Sequence, residues 1–202
     1  MPKVSIIVPV YNVEKYLAKC LDSLVIQTLD DIEILAINDA STDNSLQILN
    51  VYASNYPQIK VFDKPHDGLG KTRNFGLQKA MGEYVGFVDS DDFIDNNMYE
   101  QMYSTAVANN SDIVICNYVR EDTASGESRI CALPKESADV IDIKVLSSMI
   151  GPDPIDTQWR YAEMLGSAWR RLFRKDFLKA LNLTFYNEKE IMLEDLDRKS
   201  VV

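Results

Sequence analysis

The chain has 202 residues, 46% hydrophobic and 26% charged, which suits one globular α/β domain whose core needs no disulfide or metal staple. Its formal net charge is -10 and it carries no basic stripe able to replace phosphate counterions, so no nucleic-acid partner is expected. Its three cysteines, Cys20, Cys116 and Cys131, are odd in number and far apart with no CxxC or Cys/His spacing, which argues against zinc.

Val4–Val10 is a short β-branched run, the pattern of a strand buried on both faces. It is also too short for a signal peptide. Asn12 is placed to cap a helix whose apolar face carries Val13, Tyr16, Leu17, Cys20, Leu21 and Leu24. Ile32–Ile37 predicts a second strand, followed by the polar turn Asn38-Asp-Ala-Ser-Thr-Asp43, whose last three residues offer caps to a helix with Leu46, Ile48 and Leu49. Ile59–Phe62 predicts a third strand. A loop through Pro65 and Gly68 then leads into a helix near Thr72–Met81, with Gly82 as its left-handed cap. Tyr84–Val88 predicts a fourth strand that ends on Asp89-Ser-Asp-Asp92.

After Asp112–Tyr118 the pattern loosens. Glu121–Ser128 reads as a polar turn joining a hairpin, and Ile141–Ile150 as a helix broken by Gly-Pro-Asp-Pro154. Arg170, Arg171, Arg174 and Lys175 form the one sizeable cationic cluster, read as the solvated face of a helical stretch, with membrane-surface contact as the alternative. Cys20 and Cys116 lie in apolar runs and read as buried free thiols. No apolar run reaches the roughly 18–20 residues of a membrane span. The expected location is cytoplasmic, with the inner face of the membrane as the alternative.

Strands alternating with helices imply a mostly parallel sheet with flanking helices, and such sheets bind ligands beyond the carboxyl ends of their strands. That rule selects Tyr11 and Asn12, Asp39, and Asp89 to Asp92, all polar and all following a predicted strand. Adjacent carboxylates repel, so a neutralising cation is one explanation of Asp89-Ser-Asp-Asp92; an acidic loop capping the next helix is the other. Oxygen-only ligands favour Mg²⁺ or Mn²⁺, which bind few carboxylates and complete their shells with water and phosphate. An EF-hand is rejected, because Phe93 and Ile94 stand where that loop needs an oxygen ligand and a glycine. Gly70-Lys-Thr72 imitates the end of a P-loop, but Pro65 falls where the first glycine belongs. Arg73 stands near the same edge, as a base or phosphate ligand or an exposed helix charge. His66, the one histidine, has no Ser or Cys nucleophile beside it and reads as a polar loop residue. Trp159 and Trp169 read as core residues, with stacking on a sugar face as the alternative.

Taken together, these motifs resemble the family-two glycosyltransferases over most of the chain. Val4-Ser-Ile-Ile-Val-Pro-Val-Tyr-Asn12 is similar to that family's first strand and turn, and Ile37-Asn-Asp-Ala-Ser-Thr-Asp43 to its Asp-Asp-Gly-Ser-Thr-Asp turn. Arg73-Asn-Phe-Gly76, Ala80-Met-Gly-Glu-Tyr84 and Phe87-Val-Asp-Ser-Asp-Asp92 match its central block, and Trp169–Arg174 resembles a segment of bacterial polysaccharide-assembly members. The resemblance implies a GT-A fold and an inverting, metal-dependent enzyme. It would move a sugar from a nucleotide diphosphate sugar, UDP-linked in the first instance, to a saccharide or lipid-linked acceptor. Tyr11 and Asp39 would hold the base with Arg73 assisting. Asp89 and Asp91 would form the Asp-x-Asp element that meets ribose and Mn²⁺ or Mg²⁺, shared by Asp92. Asp195, in the pair Glu194-Asp195, would be the base.

Two departures stand out: Asn38 replaces a common first aspartate, and Ala40 replaces a glycine where a positive φ would strain alanine. The chain is expected to form a single domain, with residues 1–120 binding the nucleotide sugar and 121–202 on the acceptor side. Val202 follows Asp195 closely, and relatives are expected to continue further. The rival readings are a catalytically inactive nucleotide-binding module and a sugar-nucleotide nucleotidyltransferase; the latter would carry a Gly-rich basic loop where Tyr11-Asn12-Val13-Glu14 stands.

Overall fold

The computed structural model describes residues 1–121, 127–131, 168–182 and 184–185. Strands β1 (Val4–Val10), β2 (Ile32–Asn38), β3 (Ile59–Asp63) and β4 (Tyr84–Phe87) alternate with helices α1 (Glu14–Val25), α2 (Ser45–Asn55) and α3 (Leu69–Lys79). Helix α4 (Met98–Ala108) leads to β5 (Ile113–Ile115), β6 (Tyr118–Glu121) and β7 (Ser128–Cys131), and β8 (Arg171–Arg174) runs straight into α5 (Lys175–Ala180). The main sheet has the order β3-β2-β1-β4-β8-β5, and β6 with β7 forms a separate two-stranded sheet. β3, β2, β1 and β4 are parallel, as the strand–helix alternation predicts, whereas β8 enters antiparallel between β4 and β5. The polar stretch expected between Glu121 and Ser128 does join an antiparallel pair.

Every residue of β1 is buried, because its two faces serve two cores. Val4, Ile6, Val8 and Val10 pack with Leu17, Cys20, Leu21 and Leu24 of α1, Leu49 of α2, and Tyr99 and Met102 of α4. Ile7, on the opposite face, packs in a second cluster with Leu35, Ile37, Phe87 and Leu178, flanked by Phe75 of α3. The period-two alternation of a strand thus explains a continuous apolar run.

Several boundaries differ from expectation. Helix α1 starts at Glu14 with Val13 before it, and Asn12 is in the left-handed region with φ 52, so it shapes a turn rather than capping the helix. Helix α3 begins at Leu69 and ends in an extended residue, Ala80, so Gly82 is not its left-handed cap. A glycine is needed there for space: a Cβ at position 82 would lie 2.5 Å from the backbone nitrogen of Ser5. The crowding serves buried Glu33, whose carboxylate accepts from Ser5 Oγ at 2.5 Å, Met81 N–H at 2.7 Å and Lys60 Nζ at 2.7 Å. Burial alone pushes Glu33 up, but these donors outweigh it and hold the carboxyl below its ordinary range.

The basic cluster is the largest correction. Arg170 and Arg171 are each 1% exposed, and Arg171 to Arg174 form an internal strand rather than a solvated helical face. The guanidinium of Arg170 sits 5.4 Å from the Tyr118 ring centre. Burial, then the neighbouring Arg170 charge, push Arg171 down to about 9. Arg174 bonds Asp112 Oδ1 and Asn110 Oδ1, each at 2.9 Å. Neither Arg170 nor Arg171 is therefore available to a membrane surface. Among the described residues no helix is long and apolar enough to cross a membrane.

Candidate functional site

Strand register fixes where the site lies. Val10 pairs with Asn38 and Ile7 with Phe87, so Tyr11, Asp39 and Asp89 leave three adjacent strands at the same carboxyl edge. The motifs singled out one by one in the sequence therefore share one rim.

The first two turns are clasped together. Ser41 Oγ accepts from Asn12 N–H at 3.0 Å, and Asn12 Oδ1 accepts from Thr42 N–H at 2.7 Å. Asp43 Oδ2 takes Glu14 N–H at 3.0 Å and Ser45 Oγ takes Val13 N–H at 3.0 Å, while Glu14 Oε2 takes Asn44 N–H at 2.8 Å. Asp43 also accepts from Ser45 N–H at 3.0 Å, so it serves the starts of both α1 and α2. These are donors a helix start leaves unpaired. The Ser-Thr-Asp triplet thereby joins the turn bearing Tyr11 to the turn bearing Asp39.

Ala40 has φ 57, the strained conformation anticipated for that position. A left-handed alanine costs roughly 1–2 kcal/mol, part of which glycine returns as unfolded-chain entropy. Ala40→Gly should therefore raise stability by about 0.5–1 kcal/mol in urea unfolding; a lower midpoint would show that the turn is not strained.

Asp39 is 3% exposed, and both of its carboxylate oxygens accept hydrogen bonds. Oδ1 accepts from Asp67 N–H at 3.1 Å and from Lys64 Nζ; Oδ2 accepts from Gly68 N–H at 3.1 Å and lies 2.9 Å from His66 Nδ1. Burial raises the carboxyl, but Lys64 and the two backbone donors outweigh it and hold Asp39 below its usual range. The His66 ring stacks on Tyr11 with centroids 4.4 Å apart and planes at 29°. Tyr11 is 43% exposed, so an aromatic face and a buried anion stand beside each other at the rim. That pair suits a flat heterocycle with an N–H donor. Three protein donors, Lys64 Nζ and N–H groups 67 and 68, already bond the carboxylate, so a ligand N–H would have to approach on the side of half-exposed His66.

Arg73 lies on α3 and is 7% exposed, not a solvated helix charge. Its Nη2 donates to Asp89 Oδ1 at 2.9 Å. The segment before α3 thus holds Asp39 through N–H groups 67 and 68, and α3 itself holds Asp89 through Arg73. Helix α3 comes close enough because residue 76 is glycine: a Cβ there would meet Ile7 Cγ2 at 2.5 Å. On the other face, Cys20 Sγ reaches the Asp89 carbonyl at 3.7 Å. Burial, then the charges of Asp92, Asp89 and Asp91, push the Cys20 thiol far up, so it is no nucleophile. Cys116 is half-buried, and both are free thiols as expected.

Asp91 is exposed and Asp92 half-buried, with Asp92 N–H bonded to the Asp89 carbonyl at 3.0 Å in a tight turn. Among the described residues no three His, Cys, Asp or Glu side chains converge as a metal cage. Asp89, Asp91 and Asp92 are therefore not a preassembled three-ligand set. The donor set still fits Mg²⁺ or Mn²⁺ of the kind held by one or two carboxylates and completed by phosphate oxygens and water. Asp195, Trp159 and the helix expected at Ile141–Ile150 lie outside the described residues. Trp169 is half-buried and packs edge-on against Tyr118 at 5.2 Å.

The sequence profile of glycosyl transferase family 2 matches residues 5–181. The chain belongs to that family. It is 36% identical over 188 residues to an uncharacterized glycosyltransferase, EpsJ, of Bacillus subtilis, covering 92% of this chain and 52% of EpsJ. It is 33% identical over 187 residues to a poly(ribitol-phosphate) beta-glucosyltransferase of Bacillus spizizenii, covering 91% of this chain and 27% of that enzyme. Among solved structures, S. aureus TarS 1-349 in complex with UDP-GlcNAc matches with TM-score 0.66 and 28% identity, covering 92% of this chain and 49% of TarS 1-349. The chain spans about half the length of the first curated relatives it matches. The sheet and its flanking helices are those of the GT-A fold.

Lys64, His66 and Asn74 are the site residues that sequence reasoning missed or undervalued. Lys64 and His66 sit in a loop without a recognisable pattern, and only the fold turns that loop onto Asp39. Asn74 had a signal, its place in Arg73-Asn-Phe-Gly76, but spacing gave it no chemistry.

Proposed function

We propose that the chain binds the donor nucleotide of a glycosyltransferase and belongs to an inverting enzyme that passes a sugar from a UDP-linked donor to a saccharide or lipid-linked acceptor, on the cytoplasmic side, in cell-surface polysaccharide synthesis. The observation that carries this reading is the rim itself: an exposed aromatic at Tyr11 after β1, beside buried Asp39 after β2 on one side and Asp89 and Asp91 after β4 on the other. Tyr11 offers a stacking face to the base, and Asp39 accepts its N–H. Asp89, oriented by Arg73, and Asp91 stand where ribose and diphosphate would follow. These two carboxylates would hold Mn²⁺ or Mg²⁺, which supplies Lewis-acid stabilisation of the leaving diphosphate.

Asp195 is the proposed general base. It would take the proton of the acceptor hydroxyl as that oxygen bonds to the anomeric carbon and the bond to the diphosphate oxygen breaks. One displacement from the opposite face inverts that carbon. In this reading residues 1–120 serve the donor and 121–202 the acceptor. General-base assistance contributes typically 10²–10⁴ in rate. Asp195→Asn in the full-length protein should therefore lower transfer turnover at least about 100-fold while leaving calorimetric UDP affinity unchanged. Turnover within a factor of two of wild type would remove Asp195 from the mechanism.

A further inference from the structure

Asn74 sits one residue beyond Arg73 on α3, and both ends of its amide bond a backbone 111 residues away. Its Nδ2 donates to the Phe185 carbonyl at 2.6 Å, and its Oδ1 accepts from Phe185 N–H at 2.8 Å. The side chain pairs with both polar groups of one residue, as a neighbouring strand would. This is a costly arrangement to lose, because removing the amide leaves two partly buried backbone groups without partners.

The consequence lies in where the Phe185 ring is held. It packs edge-on against Phe87 with centroids 5.0 Å apart, and the Arg73 guanidinium lies 5.4 Å from its centre. Arg73 in turn donates to Asp89 Oδ1 at 2.9 Å. Phe87 is the last residue of β4, two before Asp89. Phe185 therefore closes a ring of contacts around the strand end: Asn74 fixes its backbone, Phe87 supports one side of its ring, and Arg73 is confined on another.

We propose that Asn74 is a positioning residue for donor-diphosphate chemistry, acting through Phe185 and Arg73 to set the orientation of the Asp89 carboxylate. An arginine under an aromatic ring in a nearly dry site has few other rotamers, so its fork keeps Asp89 in one pose. With the clamp gone, the ring can leave the guanidinium and Asp89 gains freedom, and a small misplacement of a charge-stabilising group is costly in turnover. Tyr11 and Asp39, which set base affinity, are held by the clasp of the first two turns and by N–H groups 67 and 68, and they do not depend on Phe185. The consequence for turnover rests on the glycosyltransferase reading above; the mechanical coupling does not.

The test uses Asn74→Ala and Asn74→Asp in the full-length protein, read by amide hydrogen exchange and by donor kinetics. Asn74→Ala should speed exchange both at Phe185 and across residues 89–92, where Asp92 N–H bonds the Asp89 carbonyl. It should lower kcat at least tenfold with donor KM within about twofold, a split that general destabilisation would not produce. Asn74→Asp keeps the acceptor for Phe185 N–H and loses the donor, so it should fall between. Unchanged exchange at Phe185 would overturn the clamp, and faster exchange at Phe185 with residues 89–92 unmoved would overturn the coupling. A wild-type protein that neither binds nor turns over UDP-sugar would sink the functional reading instead, and the exchange pattern would still decide this one.

Discussion

Asp39→Ala should weaken UDP binding by about 10- to 150-fold, the equivalent of losing one charge-assisted hydrogen bond worth roughly 1.5–3 kcal/mol. The reason is that, among the described residues, Asp39 is the buried anion on the rim beside the exposed Tyr11 ring. The same carboxylate also anchors Asp67 N–H, Gly68 N–H and Lys64, so alanine will loosen the loop before α3 as well. Asp39→Asn separates the two effects. It keeps one acceptor for the loop but replaces the other with a donor that repels a base N–H. Affinity should fall almost as far as in the alanine variant, with a smaller drop in thermal midpoint. The pH dependence follows from the lowered Asp39 carboxyl. A depressed native value means that the stability this anion gives is complete above the ordinary aspartate range, near 3.9, and is lost as pH falls through the lower native value. Binding through Asp39 should accordingly be insensitive to its titration from pH 8 down to 5. Unchanged UDP affinity in both variants would mean that Asp39 is only a loop anchor.

Asp91→Asn should abolish the metal-dependent part of nucleotide diphosphate binding while leaving the fold intact. Asp91 is exposed at the turn after β4, so replacing it disturbs no core packing. Its expected role is as a carboxylate oxygen toward a cation that also meets phosphate. In wild type, Mn²⁺ should tighten UDP at least tenfold over the value in chelator. In Asp91→Asn the two conditions should agree within twofold, at the weaker value. Uridine, which has no phosphates, should bind both proteins equally. A variant that retains the full Mn²⁺ effect would move the cation away from Asp91.

Much of this site was legible because it lies on parallel strands. Val4–Val10, Ile32–Ile37 and Tyr84–Val88 read as strands, and the rule that ligands sit beyond their carboxyl ends was enough to gather Tyr11, Asp39 and Asp89. The φ of Ala40 was legible only through the family resemblance, whose turn carries a glycine where Ala40 stands. Arg170 and Arg171 were misread because charge content is a poor guide inside a sheet. Their stems and planar heads lie in the interior, one against Tyr118, and no periodicity in Trp169–Arg174 announces that. Gly82 was misread because local chain geometry suggested a cap, whereas the requirement comes from Ser5, far away in sequence. The Asn74–Phe185 clamp lay beyond reach for the same reason: a bond across 111 residues has no local pattern.

The proposed function requires a nucleotide diphosphate along the carboxyl edge, with its base between Tyr11 and Asp39 and its phosphates at Asp89 and Asp91. An amide NMR titration with UDP, followed by Mn²⁺, tests it most directly. UDP in chelator should shift the amides of residues 11–12, 39–41 and 67–68, and sub-stoichiometric Mn²⁺ should then broaden signals centred on residues 89–92. Shifts that miss the first two turns, or broadening centred elsewhere, would contradict the account.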